Sequence, residues 1–95
     1  MYAYNRQVQK DWDALLRTHN DSAARCWDHI SSEPTTMIGG RYARLKGDLA
    51  WCTYGGESLQ QWQYELDKRA RVKVGVGKRF VVLMAVSTGH PKGNE

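Results

Sequence analysis

Ninety-five residues with a formal net charge of +4 are enough for one domain with a modest hydrophobic core. The longest apolar run, Phe80 to Val86, is far shorter than the roughly 20 residues of a membrane span, and the start of the chain has no pattern of an export signal. We therefore expect a single cytoplasmic domain over residues 1–95, with Cys26 and Cys52 as reduced thiols.

The first part of the chain has the pattern of two short helices. Residues 1–4 are compatible with either a frayed start or a stub of edge strand. Asn5 is a good helix cap, and one helical face after it carries Val8, Trp12, Leu15, Leu16 and His19. Asn20 or Asp21 is predicted to cap a second helix, which ends near Pro34. Its predicted buried stripe is Ala23, Ala24, Trp27 and Ile30. Two such helices form an antiparallel hairpin.

The middle of the chain is less regular. Residues 34–40 predict a loop that closes on two glycines, and residues 41–46 alternate as a strand does. Gly47-Asp48 predicts a turn, whereas residues 49–54 are compatible with a strand or an irregular connector. Residues 55–58 predict a further turn before the most regular part of the chain.

The stretch from Gln61 to Lys92 predicts a three-stranded antiparallel meander. Apolar residues alternate with polar ones in its first two strands, and residues 67–69 form the corner between them. Gly75, Gly77 and Lys78 predict the second corner. Residues 80–86 are apolar throughout, as in a strand covered on both faces. The sequence therefore predicts an α+β fold, with the helical hairpin packed on one face of a small antiparallel sheet of three to four strands. The other face is at least partly open.

The charge is divided unevenly between the two parts of the chain. Residues 1–40 carry four basic and five acidic side chains, whereas residues 41–95 carry ten basic and five acidic ones. A net charge of +5 in the second part favours a polyanionic partner, because phosphate contacts dominate the affinity for nucleic acids. A solvated basic surface that keeps a small protein dissolved explains the same charge.

The candidate site is a cluster of basic residues with one histidine and one tyrosine. The sequence contains no cysteine–histidine metal pattern, phosphate-binding glycine loop or nucleophile elbow, and we expect no cofactor. Cleavage of RNA by its own 2′-hydroxyl needs no metal, but it needs a base, cations for the phosphate and a proton donor. His90 suits proton transfer and Arg71 suits phosphate. The whole cluster is Arg44, Lys46, Tyr64, Arg71, Lys73, His90 and Lys92.

Packing is the competing interpretation for several of these residues. Tyr64 shares its strand parity with Trp62 and Leu66, which favours a place in the core, while Arg71 and Lys73 are compatible with a solvated strand face. His90 follows the last strand in a turn, where packing has little use for an imidazole.

The order of these elements resembles the RelE/ParE superfamily of toxins from bacterial type II toxin–antitoxin systems. The likeness covers about residues 11–95 and is nearest to actinobacterial RelE-like proteins, through Trp62-Gln63-Tyr64-Glu65 and Gly89-His90-Pro91-Lys92. It implies a single RelE-like toxin domain that acts as a metal-independent, ribosome-dependent mRNA endonuclease. The implied partners are the ribosome, mRNA and a cognate antitoxin, without a membrane.

The resemblance also assigns roles by position. Arg71 matches the phosphate-binding arginine, and His90 falls near the C-terminal catalytic position. Beyond the resemblance, we expect Tyr64 to orient a base if it faces outward. The RNA backbone would be held by Arg44, Lys46, Lys73 and Lys92. The chain departs from the family where lysines are usual, because Gln63 and Glu65 occupy that strand. Two alternatives therefore stay open, a non-enzymatic ParE-like gyrase poison and a module of the same fold that only binds RNA or a protein.

Overall fold

A computed structural model describes residues 1–88, so the predictions for His90 and Lys92 lie outside the described residues. Within residues 1–88 the fold is α+β, with two N-terminal helices and a mostly antiparallel sheet of six strands. The helices are α1 (Arg6–Thr18) and α2 (Asn20–Ser32), and a short 3₁₀ helix spans Gly47–Leu49. The strands are β1 (Tyr2–Ala3), β2 (Tyr42–Arg44), β3 (Trp51–Tyr54), β4 (Glu57–Glu65), β5 (Arg71–Val76) and β6 (Val81–Ser87).

The sheet has the strand order β1-β6-β5-β4-β2, and β3 also pairs with β4. The predicted meander is confirmed as β4, β5 and β6, which are joined by antiparallel pairing. The predicted total of three to four strands is too low. β4 is long enough for β2 and β3 to pair with different parts of it, on either side of the 3₁₀ helix, and β1 adds a parallel edge to β6.

The start of α1 agrees with the sequence, because the Asn5 side chain accepts a hydrogen bond of 2.9 Å from the Val8 amide. Val8, Trp12 and Leu15 are buried as predicted, but Leu16 is 37% exposed. The cap predicted for α2 is wrong. α2 begins at Asn20 directly after His19, and no side chain caps it.

The buried stripe of α2 differs from the predicted one. Ala23, Cys26 and Ile30 are fully buried, whereas Ala24 and Trp27 are exposed. Cys26 and Trp27 both fit the spacing of a helical stripe that starts at Ala23, and the smaller side chain is the one that faces the sheet. Burial raises the pKa of the Cys26 thiol to about 12.

The main core lies between the helices and one face of the sheet, which we call the helix face. It contains the alternating side chains of β4 and β5, including Trp62, Val72 and Val74. Tyr42 is fully buried there, where it stacks on Trp62 with ring centroids 4.9 Å apart and donates a 2.6 Å hydrogen bond to the Pro34 carbonyl. The helix face is therefore closed by aromatic packing.

The opposite face is partly covered by the hairpin of β3 and β4. Gly75 belongs to β5 and not to the predicted corner, which instead lies at residues 77–80. A Cβ atom on Gly75 would lie 2.9 Å from Cys52 Sγ and 3.0 Å from Leu59 Cδ1, and one on Gly77 would lie 2.8 Å from Leu59 Cδ2. The two glycines therefore make room for Leu59, which is fully buried.

The last strand is buried over only part of its length. Val82 and Leu83 are buried and pair with Gly75 and Val74, which point to opposite faces of the sheet. Ala85 is exposed, so the prediction that residues 80–86 are covered on both faces holds only near the start of β6.

Candidate functional site

The face opposite the helices leaves one region uncovered, which we call the open face and define by Gln63, Glu65, Arg71, Lys73 and Ala85. Direct cross-strand pairs point to the same side of a sheet. Gln63 pairs with Lys73, and Lys73 pairs with Ala85. In the next row, Glu65 pairs with Arg71. Arg71 and Lys73 therefore lie beside each other on one strand and one face, as the alternation predicted.

Arg71 is held in place by its surroundings. Its Nε atom lies 3.6 Å from Glu65 Oε1, and its terminal nitrogen donates hydrogen bonds to the carbonyls of Asp67 and Ala70 at 3.0 and 3.4 Å. The guanidinium is thus oriented before any ligand arrives. Glu65 also partly neutralises it, and a bound phosphate would compete with that carboxylate.

Lys73 has a different environment. It is half-buried between Gln63 and Ala85, and no ion pair among residues 1–88 involves it. Its direct cross-strand neighbours among residues 1–88 contribute an amide and a methyl group and no carboxylate. Of the two open-face cations, Arg71 has a carboxylate partner and Lys73 has none among residues 1–88, so Lys73 is the one better placed to bind a phosphate.

Tyr64 does not belong to this surface. It is only 4% exposed and lies on the helix face, with its ring near Tyr42 and His29 at centroid distances of 5.8 and 6.4 Å. Burial is the main cause that raises the pKa of its hydroxyl. The condition for its proposed role, an outward-facing ring, is not met, because its strand parity places it with Trp62 and Leu66.

The other predicted RNA contacts are scattered. Arg44 pairs with Trp62 and therefore points to the helix-face side of an edge strand, where it is exposed. Lys46 is exposed next to the 3₁₀ helix. Of the predicted set, the structure brings only Arg71 and Lys73 together, and it describes neither His90 nor Lys92.

Arg41 is a cation that the sequence did not single out. Its terminal nitrogen donates hydrogen bonds to the Glu65 and Leu66 carbonyls at 2.9 and 3.1 Å. Two cavities of 200 and 400 Å³ adjoin it, and both are lined by Gly40, Arg41 and Glu65. This cleft runs along the edge of the open face. In the sequence, this cleft is indicated only by Gly39 and Gly40 directly before Arg41.

A contact between His19 and Asp67 supports the turn that leads into Arg71. His19 Nε2 lies 3.0 Å from Asp67 Oδ2, while Asp67 Oδ1 accepts hydrogen bonds from the Arg69 and Ala70 amides at 2.8 and 2.7 Å. The junction between the helices is thereby tied to the β4–β5 turn. Because His19 and Asp67 lie far apart in the sequence, no local sequence pattern predicts their contact.

The stability conferred by this turn should depend on pH. The pKa of Asp67 is lowered, first by the Ala70 and Arg69 backbone hydrogen bonds and then by His19. A depressed pKa stabilises the fold above the unfolded value near 4, and the gain is lost as the pH falls through the folded value. We expect Asp67→Asn to be less stable than wild type at neutral pH and nearly equal to it in acid. Urea unfolding over a pH series measures this, with the exposed Asp48→Asn as control. A deficit that persists unchanged in acid would contradict the assignment.

Four aromatic rings lie at the other end of the uncovered surface. Tyr2, Phe80, Tyr54 and Tyr4 form a continuous series with successive centroid distances of 6.0, 6.1 and 6.0 Å. Tyr2 and Tyr4 are 60% and 47% exposed. We call these four side chains the aromatic row. The histidines of residues 1–88 lie elsewhere, His19 at the turn and His29 against Tyr42.

No family model matches this chain, and no curated protein matches it. No helix among residues 1–88 is long and apolar enough to cross a membrane. In the same residues, no group of three histidine, cysteine, aspartate or glutamate side chains is arranged to hold a metal ion.

Proposed function

We propose that this protein is a toxin of the RelE/ParE type that cuts mRNA on the ribosome, in the cytoplasm. The observation that carries the proposal is the pair Arg71 and Lys73, side by side on the open face, with the helical hairpin on the opposite face of the sheet. This agrees with the arrangement that the resemblance implies. The support is thus the resemblance together with the place of these two cations.

The proposed chemistry is attack of the RNA 2′-hydroxyl on the neighbouring phosphate. Arg71 would stabilise the charge that develops on the phosphate oxygens, and Lys73 would hold the adjacent backbone. His90 would transfer the proton, a role that rests on the sequence alone. Neither the 2′-hydroxyl attack nor these roles require a metal.

The test is induced expression in bacteria, followed by mapping of mRNA ends and measurement of DNA supercoiling in the same culture. New mRNA ends soon after induction, with normal supercoiling, are the expected result. Halted growth with intact messages would exclude the nuclease.

The second candidate is a member of the same fold that binds without cutting. The Glu65–Arg71 pair favours it, because a carboxylate 3.6 Å from the arginine opposes phosphate binding. A ParE-like gyrase poison would impair supercoiling and leave messages intact. A module that only binds RNA or protein would change neither.

The proposed partner in the cell is an antitoxin that covers the open face. Residues 41–95 carry a net charge of +5, which suits an acidic segment that orders on binding. Such a complex should weaken with added salt, because exposed charge pairs are screened. Co-purification of the neighbouring small gene product at low and high salt measures this, and binding that ignores salt would point to another surface.

A further inference from the structure

The aromatic row is exposed although small domains rarely expose several adjacent aromatic rings without a use for them. Its outer members, Tyr2 and Tyr4, are 60% and 47% exposed, while Phe80 and Tyr54 lie between them in the row and are half-buried. The rings support one another at 6.0 to 6.1 Å, in edge-on or tilted contacts. Such contacts limit ring motion, so a ligand would meet surfaces that are already ordered.

The fold holds these rings in place from below. Leu59 packs against Gly75 and Gly77, and the hairpin that carries it also carries Tyr54. Tyr54 thereby reaches both Phe80 and Tyr4. On the other side, the Tyr4 amide donates a 2.8 Å hydrogen bond to the Leu83 carbonyl, which continues the pairing of β1 with β6.

The aromatic row lies on the same face of the sheet as the cation Lys73. Tyr2 pairs with Val82, so Tyr2 and Tyr4 share the face of the sheet that carries Gly75, Lys73 and Ala85. Ala85 is exposed and pairs with Lys73, and it belongs to β6, the strand that pairs with β1 on its other side. Its small side chain leaves the surface of β6 low beside Lys73.

We infer that this surface is a stacking site for the bases of single-stranded RNA, with Lys73 on the adjoining phosphate. The inference rests on the proposed function and adds where the strand lies. Aromatic rings and a cation on one face of a sheet suit an unpaired nucleotide, because the base offers a flat face and the backbone a charge. A duplex hides those faces. The tyrosine hydroxyl groups of the row, and the Gln63 amide that pairs with Lys73, also make this face polar.

Another part of the molecule is better suited to an apolar protein partner. Leu49 and Trp51 are exposed by 49% and 60%, and Trp51 pairs with Gln60, which points to the helix-face side. Trp51 therefore provides a matched control, since it is as exposed as Tyr2 but lies outside the proposed strand path.

The experiment measures binding of two fluorescent strands by anisotropy, a short oligouridylate and an abasic strand of equal length. Tyr4→Leu should weaken oligouridylate binding by about five- to a hundredfold, because a stacked base contributes on that order, and should leave the abasic strand unaffected. Tyr4→Phe keeps the ring and should bind both strands like wild type. Trp51→Leu should also bind like wild type. Lys73→Gln should weaken both strands.

The outcomes separate this inference from the proposed function. If Tyr4→Leu and Tyr4→Phe both bind oligouridylate like wild type while Lys73→Gln does not, stacking is excluded and RNA binding stands. If Trp51→Leu alone weakens binding, the RNA lies on the other face of the sheet. If no variant affects RNA but Tyr4→Leu loses a co-purifying protein, the aromatic row is a protein-docking surface. Thermal unfolding of each variant confirms that it is folded.

Discussion

Leu59→Ala is expected to lower the free energy of unfolding by about 2–5 kcal/mol, the range for truncating a buried leucine. Leu59 is fully buried and packs on Gly75 and Gly77, which have no side chains of their own to fill the space that its truncation would leave. Urea unfolding measures the loss. Leu49→Ala is the control, because Leu49 is 49% exposed and its truncation should have little effect.

A double-mutant cycle tests the contact itself. Gly75→Ala places a methyl group 3.0 Å from Leu59 Cδ1 and 2.9 Å from Cys52 Sγ, so on its own it should destabilise the fold. The cost should be smaller once Leu59 is alanine. Additive effects, or a loss for Leu59→Ala below about 1 kcal/mol, would show that the hairpin rearranges and does not depend on this packing.

Arg71→Gln should reduce mRNA cutting by about a hundred- to a thousandfold, the usual effect of losing one group that stabilises transition-state charge. The fold should survive, because the ion pair with Glu65 is partly exposed at the surface and such pairs contribute little to stability. The extent of cutting is measured by mapping mRNA ends after wild type and variant have been induced to the same level. Arg69→Gln is the control, since this exposed neighbour anchors the turn through its backbone amide and not through its side chain.

Glu65→Gln tests the same role of Arg71, and its expected effect on RNA is an increase. Removing the carboxylate 3.6 Å from Arg71 should free the guanidinium and raise RNA affinity. If Arg71→Gln cuts like wild type and Glu65→Gln changes nothing, both side chains belong to a solvated strand face, and the catalytic role of Arg71 is excluded.

The regular parts of the fold could be predicted from the sequence because their patterns are local. Alternation located the meander and the buried Tyr64, and Asn5 located the start of α1. The prediction was wrong where one pattern fits two residues equally. In α2 the helical spacing fits both Cys26 and Trp27, and Cys26 is the buried one. Gly75 was misplaced because a glycine usually marks a turn, whereas this one makes room for a side chain from another strand.

The candidate site could be predicted only in part, because only some of its positions follow from a local sequence pattern. The parity of β5 places Arg71 and Lys73 on one face, which is a property of a single strand. Arg44 lies on a strand of three residues, too short for its pattern to show which face it takes. The His19–Asp67 contact and the aromatic row join elements far apart in the chain, so they become visible only in three dimensions.

The parallel pairing of β1 with β6 bears on the order in which the protein assembles. Tyr2 and Ala3 pair with Val82 and Leu83, so the first strand cannot find its neighbour until those two residues have been synthesised. The β4–β5–β6 meander needs only short turns to close, whereas β1 closes the longest loop. We expect β1 to be added last. Until then a newly made chain presents an unpaired edge of β6, which is open to strands of other chains.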